Sequence, residues 1–218
     1  MSNSKQEMLN TIRKAISDVP DSEIPGDIEV LRTYRRDGDL SGDEVVKLFK
    51  ERVGEYKATV KRVKQKELVN AIHESCLREN VKQLVVPNGF PKEFLPDSVK
   101  PIFDLSDNLL SHGELDESDG VITTCACAIA QTGTIILDAG NGQGRRALTL
   151  VPDYHLCLVH EDQIVHLVPE GFSAMEKSVK QDRRPVTFIS GPSATSDIEL
   201  NRVEGVHGPR RLDVLIYR

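Results

Sequence analysis

The sequence lacks the signatures of several large classes of protein. Its 218 residues carry a formal net charge of −6, so the basic excess that a general nucleic-acid-binding protein needs is absent. No apolar run approaches the roughly 20 residues of a membrane-spanning helix, and residues 1–8 have no apolar signal-peptide core. We therefore expect a cytoplasmic globular protein that binds no nucleic acid and has no membrane span.

Cysteines are few and are not spaced for metal binding. They are Cys76, Cys125, Cys127 and Cys157. No C-x-x-C pair occurs, which excludes zinc-ribbon and ferredoxin patterns, and His155 and His160 lack a convincing third ligand. So few thiols in a chain of this length also argue against a disulfide framework. We expect no metal and no cofactor, and we expect Cys125 and Cys127 to be small packing residues on one side of a strand.

The most distinctive segment is a glycine-rich loop that follows the apolar run Ile135–Leu137. Its three glycines are Gly140, Gly142 and Gly144, and two arginines, Arg145 and Arg146, come directly after them. Glycine permits positive φ and close approach of a ligand, successive amides in such loops favour anions, and arginine adds fork-shaped donors. The spacing matches neither G-x-G-x-x-G nor a nucleotide-binding P-loop. The loop predicts a site for a small anion.

A second candidate is the polar segment that follows the strand predicted at 186–190. Ser193 lies in this segment, and Ser196 is predicted to cap a helix that begins at Asp197, whose first turn would present amides and the helix dipole to an anion. An ordinary N-capped helix explains the same residues. Since ligands collect at the carboxyl ends of parallel strands, the neighbourhood of the glycine loop favours the anion site.

A third candidate is the loop at 205–210. His207 lies between glycines, where it can act as an acid or a base near neutral pH, and Arg210 can pair with a carboxylate. A surface turn with a solvated histidine explains these residues equally well. Glu199 is a candidate general base, although a carboxylate in a first helical turn more often serves the dipole.

The order of apolar patterns predicts an α/β domain with right-handed crossovers. A capping box at Ser41–Glu44 opens one of its helices. The predicted helices are 4–17, 41–56, 65–79 and 170–180, with a short helical turn at 126–130; the predicted strands are 58–63, 83–86, 120–124, 133–137, 155–159, 164–168, 186–190 and 212–216. We expect residues 1–40 to form a helical appendage and linker and residues 41–218 to form the domain. The first helix docks either on a partner or second copy, or on its own domain.

Several motifs, in this order and spacing, resemble the LUD domain of lactate utilization proteins. They are residues 121–150, with Ala128–Thr134 and Gly142–Ala147, and then 152–159, 189–193, 197–199 and 205–210. The resemblance covers roughly residues 41–218. One position departs from it: the family leads us to expect glutamate before Thr-Gly-Thr, and this chain has Gln131, which cannot be a general base.

The resemblance implies the fold of the ribose phosphate isomerase and CoA-transferase group, a mostly parallel sheet flanked by helices. It also implies a role in bacterial oxidation of L-lactate to pyruvate, as a non-redox subunit beside iron–sulfur partner proteins. The alternatives are a free-standing isomerase or CoA-transferase-like enzyme acting on a small phosphate or carboxylate, and a pure assembly protein. The candidate catalytic residues are His207 and Glu199. The candidate anion-binding residues are Thr132, Gly133, Thr134, Gly140, Gly142, Gln143, Gly144, Arg145, Arg146, Ser193, Asp197 and Arg210.

Overall fold

A computed structural model describes residues 3–20, 33–196, 202–205 and 207–218, and the chain divides into two units, 1–35 and 36–218. The helices are α1 (Asn3–Ala15), α2 (Asp43–Glu55), α3 (Leu68–Arg78), α4 (His112–Asp116), α5 (Val168–Ala174) and α6 (Glu176–Lys180). The strands are β1 (Thr59–Val63), β2 (Gln83–Pro87), β3 (Lys100–Asp104), β4 (Gly120–Thr124), β5 (Cys127–Ile129), β6 (Thr134–Leu137), β7 (Tyr154–His160), β8 (Ile164–Val165), β9 (Thr187–Ile189), β10 (Ala194–Ser196), β11 (Arg202–Glu204) and β12 (Arg211–Tyr217).

The first unit contains α1, the helix predicted at 4–17. Its apolar residues Met8, Ile12 and Ile16 recur at helical spacing and are all exposed. An exposed apolar stripe of this kind contributes little to the stability of the helix by itself, because helices gain most of their stability from packing.

Six parallel strands form the main sheet of the second unit, in the order β1-β12-β7-β4-β2-β3. Its central strands read as continuous apolar runs because both faces are covered. In β7, Leu156 and Leu158 face a core shared with α3, whereas Cys157 and Val159 face a second core shared with α2. The α/β class with a parallel sheet flanked by helices is confirmed.

A smaller sheet covers the second of these faces. Its order is β8-β5-β6-β9, and β6 runs antiparallel to both β5 and β9. Successive side chains of β6 point to opposite faces, so Ile135 joins the core above the main sheet while Ile136 packs with Met175 between α5 and α6. The two faces of the small sheet therefore pack in two different cores. Its strand β9 pairs with β6 and so lies above the main sheet.

Two local predictions are wrong, and a third falls on residues that the structure does not describe. The helical turn at 126–130 is β5, because Cys127 and Ile129 share one core while Ala128 faces the other, the alternation of a strand. The capping box at Ser41 does not form: Gly42, at φ +53, precedes α2, and no side chain caps it. Ser196 lies in β10, paired with β11; the helix that it is predicted to cap begins at Asp197 and falls on 197–201, outside the described residues.

The buried cysteines differ in one respect from the prediction. All four are free and buried, as expected of packing residues. Cys125, however, precedes β5 and packs with Cys157, whereas Cys127 packs with Ile136 in the other core. The two thiols therefore do not share one side of a strand, because the chain turns between them.

Candidate functional site

Side chains from four segments surround a cavity of ≈ 230 Å³, here called the Arg146 cavity. The segments are the 3-10 helix Arg146–Thr149, the start of β7, the end of β9 with the loop after it, and the loop before β12. The polar residues that line it are Arg146, Thr149, His155, Ser190, Ser193 and His207. The structure thus brings together three predicted site residues: Arg146, Ser193 and His207.

Arg146 supplies a positive charge that no described carboxylate pairs with. Its Nη1 donates to the backbone oxygen of Thr149 at 3.1 Å and to its Oγ1 at 2.8 Å. Among the described residues, no carboxylate lies within ion-pair distance of Arg146, and none lines the cavity. The residue is exposed overall, yet burial of part of the side chain lowers its pKa; arginine nevertheless stays charged in proteins. A small anion would neutralise this charge.

His155 lies beside Arg146 as a neutral side chain. It is 1% exposed, and its Nε2 lies 2.8 Å from the Oγ1 of the fully buried Thr123. Burial, and after it the charge of Arg146, lower the pKa of His155 to about 4. The imidazole of His155 is therefore uncharged at pH 7, so a neutral ring lies beside the cation Arg146 in the lining of the cavity.

Ser193 joins two of the loops that line the cavity. Its amide donates to the carbonyl of Pro209 at 2.8 Å, and its carbonyl accepts from the amide of Gly205 at 2.9 Å. Its Oγ accepts from the amide of His207 at 3.1 Å. These bonds join the base of the β10–β11 hairpin to the loop before β12 and hold His207 next to Ser193. Asp197 and Glu199, two further predicted site residues, lie outside the described residues.

The Thr-Gly-Thr segment connects to this cavity through hydroxyl groups. Thr132 Oγ1 lies 2.7 Å from Thr134 Oγ1, which lies 2.8 Å from the Oγ of Ser190. Gly133 has φ +59, and a Cβ there would meet the backbone of α2 at 2.7 Å, so glycine is required by close packing. Thr132, Gly133 and Thr134 therefore support Ser190 and do not themselves line the cavity.

The glycines of the predicted anion loop lie elsewhere, at the carboxyl ends of β2 and β3. Gly140, Gly144 and Arg145 line a second cavity of ≈ 440 Å³, the carboxyl-edge cavity. Its other lining residues are Asn88, Asp104, Ser106, Leu109, Ala139, Asn141 and Arg184. The Arg146 cavity instead lies toward the amino ends of β7 and β12, since His155 and Leu212 are the second residues of those strands. Arg146, which follows the glycine loop, is therefore in the other cavity, with the Ser193 loop.

The amides of the glycine loop already have acceptors within the protein. Gly140 donates to Asp138 Oδ1 at 3.0 Å, Gly142 donates to the carbonyl of Asn88 at 2.8 Å, and Gln143 and Gly144 donate to the carbonyl of Gly140. The Gln143 Oε1 accepts from the Asp138 amide at 2.6 Å. The loop thus stabilises its own shape, which leaves Arg146 as the stronger contact for an anion.

Arg145 has a partner, in contrast to Arg146. Its Nε and Nη2 donate to Asp104, with the Nη2–Oδ1 distance 2.9 Å, and Nη2 also donates to the carbonyl of Leu110. Asp104 is buried and accepts from the Leu110 amide as well. The hydrogen bond from Arg145 to Asp104 raises the pKa of the guanidinium. Two adjacent arginines therefore have different tasks, one structural and one open to a ligand.

Two other positions named from the sequence lie on the surface: the anion-site candidate Arg210, and Gln131, which departs from the family pattern. Arg210 pairs with Asp153 at 2.6 Å, is largely exposed and lines neither cavity. Gln131 is exposed, and its backbone amide donates to the carbonyl of His166 at 3.0 Å. Arg210 is held by its ion pair, and Gln131 is held by its backbone hydrogen bond.

Comparison with known proteins identifies the family. The sequence model of the LUD domain matches residues 46–217. The chain is 46% identical to lactate utilization protein C of Deinococcus radiodurans over 212 residues, which cover 97% of this chain and 94% of that protein. The chain belongs to the LUD domain family.

Two further comparisons agree on the LUD domain. Lactate utilization protein C of Halalkalibacterium halodurans is 28% identical, covering 88% of this chain and 84% of that protein. A crystal structure of a DUF162 family protein from Deinococcus radiodurans superposes with a TM-score of 0.72 at 42% identity, covering 82% of this chain and 99% of that chain. Both likenesses span most of each relative, so the whole domain is matched.

The sequence patterns did not identify several residues that line the two cavities. His155 stands in an apolar strand run, where a buried histidine has no distinguishing pattern, and Thr149 and Ser190 are isolated polar residues. Asp104 ends a strand that was not predicted. A signal for Asp104 was available, because a carboxylate at the carboxyl end of a parallel strand is a usual ligand-site position.

Across residues 3–20, 33–196, 202–205 and 207–218, no three His, Cys, Asp or Glu side chains are grouped to hold a metal ion. Within the same ranges, no helix has the length and apolar character needed to cross a membrane.

Proposed function

We propose that this chain is a cytoplasmic, non-redox component of a bacterial lactate utilization system. It acts with iron–sulfur partner proteins and binds a small carboxylate in the Arg146 cavity. The names of two relatives support the metabolic role, since both are lactate utilization proteins C and one is 46% identical over nearly its full length.

The observation that carries the ligand part of the proposal is the charge of Arg146. A guanidinium recognises a carboxylate through paired hydrogen bonds, and this guanidinium has only the neutral oxygens of Thr149 as partners among the described residues. L-lactate and pyruvate are each small monoanions of this class. Their carboxylate would lie against Arg146, in a cavity that Ser193 and His207 also line.

The burial of the cysteines supports a subunit that leaves electron transfer to its partners. Iron–sulfur clusters are held by cysteine thiolates. Burial disfavours the thiolate form, because it raises the pKa of Cys76 to about 12 and that of Cys127 to about 11. Cys125 is buried as well, and its pKa is raised first by its hydrogen bond with Cys157 and then by burial. These thiols are suited to packing in the two cores.

The free-standing isomerase or transferase remains the second candidate because of the carboxyl-edge cavity. Ligands of open parallel sheets bind outside the carboxyl ends of the strands, and Asn88 and Asp104 lie at those ends of β2 and β3. An enzyme of this kind would use that cavity and would need no partner proteins.

Affinity purification from lactate-grown native cells tests the proposal. The eluate is analysed by mass spectrometry, by an iron assay and by lactate-dependent dye reduction. We expect two iron–sulfur proteins and dye reduction that the chain alone does not support. Recovery of a lone, iron-free protein that turns over a sugar phosphate or a CoA ester would favour the second candidate. Stoichiometric iron in the isolated chain would contradict the non-redox role.

A further inference from the structure

His155 is a buried polar side chain with one nitrogen that no described residue binds. Its ring lines the Arg146 cavity, and its Nε2 is bonded to Thr123. Nδ1 has no hydrogen-bond partner among the described residues. Every side-chain nitrogen or oxygen atom of those residues that lies out of reach of solvent has a hydrogen-bond partner, so Nδ1 must be in reach of solvent. Since the residue as a whole is 1% exposed, the Nδ1 atom reaches open space through the cavity.

The setting makes this ring a neutral hydrogen-bonding group. Burial and the nearby charge of Arg146 keep it unprotonated at pH 7. A neutral imidazole has one donor and one acceptor nitrogen, and the bond to Thr123 fixes how the ring is turned. Because a threonine hydroxyl can donate or accept, Nδ1 presents either an N–H group or a lone pair to a molecule in the cavity.

The cavity therefore offers two different contacts side by side. Arg146 is a permanent cation, and His155 is a neutral partner for an uncharged oxygen. This pair matches a monoanion that carries one more polar atom close to its charge. Arg146 is the only arginine or lysine among the described lining residues.

We propose that the Nδ1 of His155 contacts the oxygen on the carbon next to the carboxylate of the ligand that Arg146 binds. The cavity then selects small 2-hydroxy and 2-oxo monocarboxylates over acids that lack this oxygen. The inference rests on the proposed function, because Arg146 supplies the charged contact. An acid without the oxygen would leave the buried Nδ1 unpaired, and sites built around such a hydrogen bond reject analogues that lack it.

Calorimetric titration of the full chain with L-lactate, pyruvate and propionate tests the inference. Propionate has the same carbon chain and carboxylate but lacks the 2-oxygen. We expect propionate to bind at least about tenfold more weakly than L-lactate. Since a keto oxygen only accepts and a hydroxyl does both, the ratio of pyruvate to L-lactate affinity also reveals whether Nδ1 carries the proton.

Two variants at position 155 separate the ring nitrogens. In His155→Gln the amide reaches the position of Nε2, so the bond to Thr123 is retained and the Nδ1 contact is lost. In His155→Asn the amide lies near the position of Nδ1. We expect His155→Gln to bind L-lactate and propionate within about twofold of each other, and His155→Asn to keep a preference for L-lactate.

The outcomes distinguish this inference from the proposed function. Equal wild-type affinity for L-lactate and propionate, both lost in Arg146→Ala, would overturn the role of His155 and leave the carboxylate site standing. Wild-type binding of none of the three acids would overturn both. If a variant at 155 fails to fold, the wild-type comparison of L-lactate with propionate still decides the matter.

Discussion

The contrast between Arg145 and Arg146 leads to a crossed prediction for two adjacent substitutions. Arg145→Ala removes the bidentate partner of Asp104, whose side chain is 3% exposed. Breaking a buried ion pair costs about 3–5 kcal/mol. The guanidinium of Arg145 is 30% exposed and therefore screened by solvent, and the Leu110 amide still donates to Asp104, so we expect a loss of about 2–3 kcal/mol.

Arg146→Ala should have the opposite effects. It removes two hydrogen bonds to Thr149 from an exposed residue, which costs about 0.5–1 kcal/mol. It also removes the charge on which the ligand depends. At a ligand concentration 100 times the dissociation constant, binding stabilises the native state by about 2.7 kcal/mol, and this increment should vanish in Arg146→Ala.

Thermal melting with and without L-lactate measures both effects. For a domain of this size, 1 kcal/mol shifts Tm by about 2–4 °C, so Arg145→Ala should melt about 4–12 °C lower and keep its ligand-induced shift. Arg146→Ala should melt within about 4 °C of the parent and lose that shift. Arg210→Ala, which removes an exposed pair with Asp153, is the matched control and should change neither. A ligand shift retained in Arg146→Ala would refute the site, and an unchanged Tm in Arg145→Ala would refute its structural role.

Three further predictions concern the supporting structure. Gly142→Ala should lower the urea midpoint by the equivalent of about 1–3 kcal/mol, because the residue has φ +75 and a Cβ there would lie 2.7 Å from Thr124 Oγ1. The lowered pKa of His155 in the folded protein means that the unfolded chain binds a proton at this residue more readily. The free energy of unfolding should therefore keep its full value above pH 6.5 and fall by about 3 kcal/mol toward pH 4. Unfolding titrations at several pH values measure this fall, which should be smaller in His155→Gln. Asp213→Asn should destabilise by about 2–3 kcal/mol, since the buried carboxylate accepts from Tyr154 at 2.7 Å; a loss below that of Tyr154→Phe in the same urea assay would contradict this.

The main sheet was predictable because its central strands are buried on both faces. The apolar runs at 83–86, 155–159 and 212–216 are typical of strands buried on both faces, and all three appear in the sheet. By contrast, β3 contains a proline and is half-exposed at the sheet edge, where weak patterning is tolerated. The segment 126–130 was mistaken for a helical turn because a run of small residues has no decisive period.

The site was only partly predictable, for a different reason. Sequence patterns located Arg145 and Arg146 but could not show which of them has a buried carboxylate partner, since Asp104 lies 41 positions away along the chain. Nor could they show that His155, within an apolar run, lines a cavity with its ring. Both facts depend on contacts between distant strands, which the local sequence does not encode.

The position of β12 in the main sheet has a consequence for how the chain is made. This strand lies between β1 and β7, and Thr59 pairs with Asp213, about 150 positions later. During synthesis, β1 has no partner and β7 keeps an open, apolar edge until residues 211–217 have left the ribosome. Contacts of such long sequence separation slow folding, and open strand edges invite association with other chains. The nascent protein therefore passes through its most aggregation-prone stage just before it can complete the sheet.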